Sequence, residues 1–409
     1  MKLELLAPAG DMEKLKTAFY FGADACYFAG KKWGLRAFSD NFDEDELKTS
    51  IEYAHKLGKK AYITINIQAH NSDFEGLDDY LKYLYSIKAD AIIVSDAGIL
   101  SLAKQVVPNL PIHISTQASA SNKYSAKFWA DAGAKRIILA RELSISEIKE
   151  ICDFLPADIE LEAFVHGAMC ISYSGRCLLS NYLANRDSNR GQCVQACRWA
   201  YKIQEVSRTG DPLEIEEDNR GTYILNSKDL CMIDYLDKMI EAGVTSFKIE
   251  GRMKSPFYVA TVVNTYRRAL DKYKKDPQNY KSDPSWVAEL ENCSHRKFTT
   301  GFCLGENDHI YTQNSQPQSR SEFMAIVTSD TNNGYCEIEQ RNRFKIGDTL
   351  EILSPTDTFK KTFVVEEMKD LSGNLVKDAL KVQQKLILKT PFNLKQNDFL
   401  RKVKQEDLV

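Results

Sequence analysis

The stretch that decides the fold runs from Leu161 to Arg198: LEAFVHGAMCISYSGRCLLSNYLANRDSNRGQCVQACR. It opens on a short apolar run, 161–165, of the kind that forms a buried strand. It then leaves that pattern for a segment holding Cys170, Cys177, Cys193 and Cys197. Gly167, Gly175 and Gly191 lie among them, as do the cations Arg176, Arg186, Arg190 and Arg198. The next apolar run, SFKIE, does not come until 246–250.

Outward from this stretch the pattern is regular. LELLA (3–7), ACYFA (25–29), AYITIN (61–66), AIIVS (91–95), IHISTQ (112–117) and RIILAR (136–141) precede it. Amphipathic segments such as EDELKTSIEYAHKLG (44–58) and SISEIKEICDFL (144–155) separate the runs. Several end in Gly before the next strand, a helix-stop signal. Eight strands, each followed by a helix, predict a parallel α/β fold, and eight is the number that closes a (β/α)8 TIM-like barrel of about 250 residues. An open doubly wound sheet is the alternative, but no GxGxxG turn follows the first strand. The barrel domain is expected over 1–275. The cysteine-bearing insertion, about 168–222, follows strand seven and therefore sits over the C-terminal mouth, where barrels build active sites.

Period-two alternation sorts the strand residues. Thr64, Asn66, Ser115, Gln117, Glu162, Phe164, Lys248 and Glu250 share the side expected to line the upper interior. Ile63, Ile65, Ile112, Ile114, Phe247 and Ile249 take the side expected to pack on helices. Beyond the last barrel helix, 276–322 is polar and reads as a linker and connecting segment. From Phe323 to the end at 409, short β-like runs with turns TNNG, KIGD and LSGN predict a small C-terminal β-barrel domain.

The 409 residues carry a net charge of −3 and 43% hydrophobic residues, ordinary for a soluble chain without bulk basic character. No long apolar span predicts a membrane helix, and MKLELLAPAGDMEKL lacks a signal-peptide core, so a cytoplasmic protein is expected. There, clustered thiols point to metal or catalysis rather than disulfides. Only Cys193 and Cys197 have the spacing of a zinc pair. Scattered thiolates among Gly and Arg suit an iron–sulfur cluster, which takes four. Cys170, Cys177, Cys193, Cys197 and Cys231 compete for those four places. Cys26, Cys152, Cys293, Cys303 and Cys336 read as structural. There is no HExxH or GxSxG, and His166, four residues before Cys170, reads as a strand-end hydrogen bonder more readily than as half of a Cys–His pair.

The run EAFVHGAMCISYSGRCLLS (162–180) resembles the signature of peptidase family U32, the collagenase-like group. LLAPAGD (5–11), NRGQCVQACRW (189–199), NSKDLC (226–231), KIEGRMKSP (248–256) and SHRKFTTGF (294–302) resemble further family blocks. The likeness spans essentially the whole chain. It implies an oxygen-independent hydroxylase with a 4Fe–4S cluster rather than a peptidase. Members with this full-length architecture form 5-hydroxyuridine at the wobble position of tRNA, with prephenate as hydroxyl donor. Relatives hydroxylate a ribosomal RNA base or the ubiquinone ring, and a collagenase-like protease is the competing activity. The implied cluster ligands are Cys170, Cys177, Cys193 and Cys231, with Cys197 an alternative fourth.

Prephenate is a dicarboxylate, which the arginine fork suits. Arg176, Arg198 and Arg252 are candidates to hold it, with Lys248 beside them and Glu250 completing the catalytic set. Tyr173 and Trp199 are candidates to stack on a base. Gln117, Glu162 and His166 complete the expected substrate contacts. TYRRALDKYKK (265–275) is a candidate phosphate-facing patch. tRNA, the small anion and a paralogous or identical partner chain are the expected partners.

Overall fold

The computed structural model describes residues 2–35, 40–170, 172–199, 217–218, 221–222, 227–305 and 317–404. The barrel strands are β1 (Glu4–Pro8), β2 (Ala25–Phe28), β3 (Lys60–Ile65), β4 (Ala91–Val94), β5 (Ile112–Ile114), β6 (Arg136–Ile138), β7 (Glu160–Ala168) and β8 (Val244–Ile249). They pair in parallel in that order, and β8 pairs with both β7 and β1, so the barrel closes. The alternation argument holds for the apolar side. Ile63, Ile65, Ile112, Ile114, Phe247 and Ile249 are buried in the layer between strands and helices.

Helices α1 (Met12–Tyr20), α2 (Glu44–Lys56), α3 (Leu77–Ser86), α4 (Ala97–Val106), α5 (Lys123–Asp131), α6 (Ile145–Phe154), α7 (Leu236–Glu241) and α8 (Pro256–Lys275) form the outer ring. Local chemistry sets their ends. Asp43 and Glu46 close a reciprocal capping box on α2, and Ser144 and Glu147 do so on α6. Gly22, at φ +106, ends the turn after α1 where a side chain would be strained.

β7 runs past the barrel rim, and its end pairs antiparallel with the short strand Asp229–Cys231. That strand pairs in turn with Phe298–Thr299. The 276–322 stretch, expected as a linker, therefore contributes to the sheet. Trp286, Leu290 and Cys293 within it are buried in the barrel core.

The C-terminal domain is a curled seven-stranded antiparallel sheet. Its order is 362–364, 349–353, 399–403, 321–327, 335–340, 385–389 and 368–369. Its own core gathers Met324, Ile338, Leu350, Phe363, Leu386 and Leu400. This is the expected small β domain, curled without a pairing between its first and last strands. An aromatic seam joins it to the barrel: Phe21 meets Phe399, and Phe257 stacks on Phe323. Arg401, fully buried, grips Glu289 with two hydrogen bonds of 2.6 and 2.9 Å and also pairs with Glu351. In the basic patch of 265–275 the two arginines are engaged in structure, while Lys272, Lys274 and Lys275 are exposed. Arg267 pairs with Asp24 and Asp271, and Arg268 donates to the Ser354 and Thr356 carbonyls.

Replacing Arg401 by Met removes the buried cation shared by Glu289 and Glu351 and leaves Glu289 only the part-exposed Lys360. We expect a loss of about 3–5 kcal/mol, seen as a lower thermal unfolding midpoint. An unchanged midpoint contradicts the clamp.

Candidate active site at the barrel mouth

The interior is built in polar and apolar layers. Leu6, Tyr27, Tyr62, Ile93 and Ile138 fill its apolar part. Below and among them lies an ionic network. Arg136 donates to Glu4 (2.6 Å), Glu162 (3.0 Å) and Ser246 (3.2 Å). Glu162, with no exposure, also takes a 2.8 Å contact from Lys248 Nζ. Burial alone lowers the Arg136 pKa, but Glu162 and Glu4 more than offset it, so the guanidinium stays charged. Burial raises the Glu4 carboxyl, and Arg136 reverses that to a net lowering. Arg136 and Lys248 thus compensate the buried Glu4 and Glu162, and Arg136 also reaches the half-exposed Glu160 at the barrel floor. His113, stacked edge-on to Tyr62, is held neutral by burial and by Arg136.

Above this network a pocket opens at the mouth. Its polar lining includes Thr64, Asn66, Ser115, Gln117, Arg141, Lys248, Glu250 and Arg252. The expected residues Gln117, Lys248, Glu250 and Arg252 are therefore brought together. Tyr27 donates to Glu250 (3.1 Å) and to the Ile249 carbonyl (2.9 Å), fixing the carboxylate at the end of β8. Lys248 Nζ lies 4.3 Å from the Tyr27 ring centre. Buried Arg252 is anchored by the Leu35 carbonyl (2.9 Å), Thr64 and Asn41. Such a pocket, with Arg141 and Arg252 facing one carboxylate and Lys248 shared with Glu162 below, suits a small anion.

Sequence reasoning missed Arg141. It sits just past β6, its guanidinium 5.4 Å from the Phe164 ring centre and bonded to the Ala168 carbonyl at 2.8 Å. The available signal was its place at the C-terminal end of a barrel strand.

The cysteine segment crosses the mouth as a strap fastened on both sides. On the β6 side Ser174 donates to Glu142, and Gly175 presses so close to the Gln117 carbonyl that a β-carbon would sit 2.0 Å from it. On the β3 side Arg190 pairs with Asp73 (2.6 Å), and the Gln68 amide donates to the Asn189 carbonyl. Ser188 and Asn189 hold the Cys177 carbonyl, tying the thiols to the strap.

The thiols divide. Cys170 and Cys177 are hydrogen-bonding neighbours that behave as one coupled pair. The Cys170 thiol is the main cause that lowers Cys177 to about 4, while the contact with Cys177, helped by burial, raises Cys170. Cys193 accepts from the Gln195 amide, and Cys197 is half-buried on the same strap. Cys231 faces the outer layer, where burial raises it to about 12 and Tyr266 is 4.0 Å away. Among the described residues no three His, Cys, Asp or Glu side chains are grouped closely enough to hold one metal ion. Of the expected set Cys170, Cys177, Cys193 and Cys231, the first two adjoin each other, and Cys231 lies on a strand whose side chain turns to the helices. Two adjoining thiols, with Cys193 and Cys197 on the same strap, are soft donors of the kind an iron–sulfur or zinc site takes.

Three further expectations are corrected. Glu162 lies beneath the pocket and serves Arg136 and Lys248 rather than substrate. His166 is turned to the outer layer by a register shift opposite Lys248 and Ile249, near Tyr266, Tyr258 and Phe298. Burial holds it neutral, with a pKa of about 3. Arg176 is exposed on the strap, outside the pocket lining. Tyr173 and Trp199 are also exposed there, and the Arg198 side chain lies outside the described residues.

A closed (β/α)8 barrel with a strapped, cation-lined mouth is the class that fold and site define. The profile of peptidase family U32 matches residues 10–313, and that of its C-terminal domain matches 319–401. The chain belongs to this family. It is 42% identical to the tRNA hydroxylation protein P1 of Bacillus subtilis, over 91% of this chain and 88% of that one. It is 37% identical to the tRNA hydroxylation protein P of Escherichia coli, over 91% and 90%. A Porphyromonas gingivalis protein named collagenase is 30% identical over 86% and 87%. No helix among the described residues is long and apolar enough to cross a membrane.

In metal-free protein, Cys177 should alkylate as a thiolate at pH 6 and slow only as pH falls through about 4. Cys170→Ala should move that profile up toward an ordinary thiol. Iodoacetamide labelling with peptide mass spectrometry reads both, and a wild-type profile centred near 9 contradicts the contact.

Proposed function

We propose that the chain is an RNA hydroxylase that forms 5-hydroxyuridine at the wobble position of tRNA, in the cytoplasm and without oxygen. The observation that carries this reading is the mouth pocket, in a chain whose relatives over most of its length are named for tRNA hydroxylation. Prephenate is proposed as hydroxyl donor. Its two carboxylates match Arg141, Lys248 and Arg252, and Gln117 and Thr64 offer hydrogen bonds to the remainder. Glu250, oriented by Tyr27, is the pocket's carboxylate for moving a proton at the base. The strap touches the pocket rim, with Gly175 against Gln117 and Ser174 against the Arg141 amide.

A 4Fe–4S cluster belongs to this proposal, held by Cys170, Cys177, Cys193 and either Cys197 or Cys231. When bound it would supply one-electron chemistry beside the pocket. The adjacent Cys170–Cys177 pair supports it, and Cys231 has to turn from Tyr266 to join. The protease reading through a Cys170–His166 pair lacks its base, since His166 faces Tyr266 in the outer layer.

Mass spectrometry of tRNA nucleosides from a strain lacking this protein and any backup enzyme tests the reading. The hydroxylated uridine should vanish, return with wild type and stay absent with Cys170→Ala. Unchanged tRNA, or loss confined to a ribosomal RNA base, overturns it. Separately, Arg141→Gln should weaken prephenate binding by about tenfold or more, the loss of one charge-assisted contact of about 1.5–3 kcal/mol, by calorimetry. Equal affinity removes Arg141 from the anion site.

A further inference from the structure

Resting on the reading that the chain acts on RNA, we propose that the outer face of the strap docks a single-stranded RNA loop. Its unpaired bases stack on Tyr173, Tyr182 and Trp199, and Arg176 meets phosphate. The strap is inside-out for a solvated segment. Its inward residues are small: Ser174, Ser180 and Ala196 are buried. Its large apolar side chains point to water, with Tyr182 87%, Leu178 71%, Tyr173 62% and Trp199 42% exposed. Such a grouping beside a pocket marks an interaction surface rather than scattered exposure. Leu178 and Tyr182 stand one helical turn apart on one face, since the Tyr182 amide donates to the Leu178 carbonyl. Trp199 follows the short turn 196–198, which packs on the helix Leu179–Ala184 that carries Tyr182.

Charge selects the occupant. The chain as a whole is acidic, at −3, yet between Ala168 and Trp199 it holds four arginines and one aspartate, with no lysine or glutamate; Arg190 is spent on Asp73, and Arg176, whose amide donates to the Tyr173 carbonyl, is exposed. That aspartate, Asp187, is engaged in capping the Asn189 amide. Exposed rings on a strap that also presents the Arg176 guanidinium suit bases with free faces on a phosphate backbone. A duplex hides those faces, so an unpaired loop fits and a stem does not.

The test uses the full chain with a fluorescein-labelled RNA hairpin carrying an unpaired loop, and a blunt duplex of the same stem, read by anisotropy. Tyr182→Ala and Trp199→Ala should each weaken hairpin binding about five- to a hundredfold. Tyr182→Phe should stay within about twofold, and Arg176→Gln should lower the salt slope by about 0.7. The side chains are exposed, so unchanged thermal unfolding confirms that each variant folds. If wild type binds the hairpin and modifies tRNA while both alanine variants match it, the docking surface is wrong and the hydroxylase reading stands. If wild type neither binds the hairpin nor restores the modified nucleoside, both fall. If sedimentation shows that wild type self-associates and Tyr182→Ala abolishes this with no effect on RNA, the face belongs to a second copy and the proposal is overturned.

Discussion

A carboxylate with no access to water, Glu162, receives Arg136, Ser246 and Lys248 at once, and the working end of the barrel is organised by that contact. A lone buried carboxylate is costly, so its partners are constrained as tightly as it is. Arg136 is committed downward to Glu4 and Glu162. Lys248 is held from below and lies over the Tyr27 ring, which in turn fixes Glu250. The charge at the mouth thus has a fixed direction before any ligand arrives. Such preorganisation lets a few cations bind an anion tightly without reorganising.

The second constraint is the length of β7. Because it continues to Ala168, the chain leaves the barrel already above the rim, and its end is pinned by Asp229–Cys231. The strap then has to cross the mouth to return, and Glu142 and Asp73 fasten it at opposite sides. Pocket and strap share elements: the Arg141 guanidinium lines one, and its backbone amide donates to Ser174 of the other. A substrate touching the strap is therefore mechanically joined to the anion pocket.

Much of this was legible in the residues. All eight barrel strands lie where the apolar runs fall, and Thr64 and Lys248 line the pocket as the two-residue period requires, while Asn66, Ser115, Gln117 and Glu250 reach it from just past the strand ends, Gln117 from the turn Thr116–Ala118. The period fails where a strand is irregular. Counting by two from Phe164 keeps His166 inside, but the register shift between Lys248 and Ile249 turns it outward. Cys231 follows it as its pairing partner. Glu162 obeyed the period, yet depth along the strand, not side, decides between substrate contact and buried ion pair. Arg141 escaped because a turn after β6 breaks the alternation. Linker-like composition also misled for 276–322, where Trp286 and Leu290 bury against the barrel.

The central claim is that strap and mouth form one site at which an RNA base meets a small anion. Ultraviolet crosslinking of an RNA hairpin to the intact protein, followed by mass spectrometry of the crosslinked peptides, examines it most directly. The account predicts crosslinks within 170–199 and at the mouth loop after β8, reduced when the anion pocket is altered at Lys248. Crosslinks confined to the C-terminal sheet, or to the barrel flank formed by α5 and α6, would contradict it.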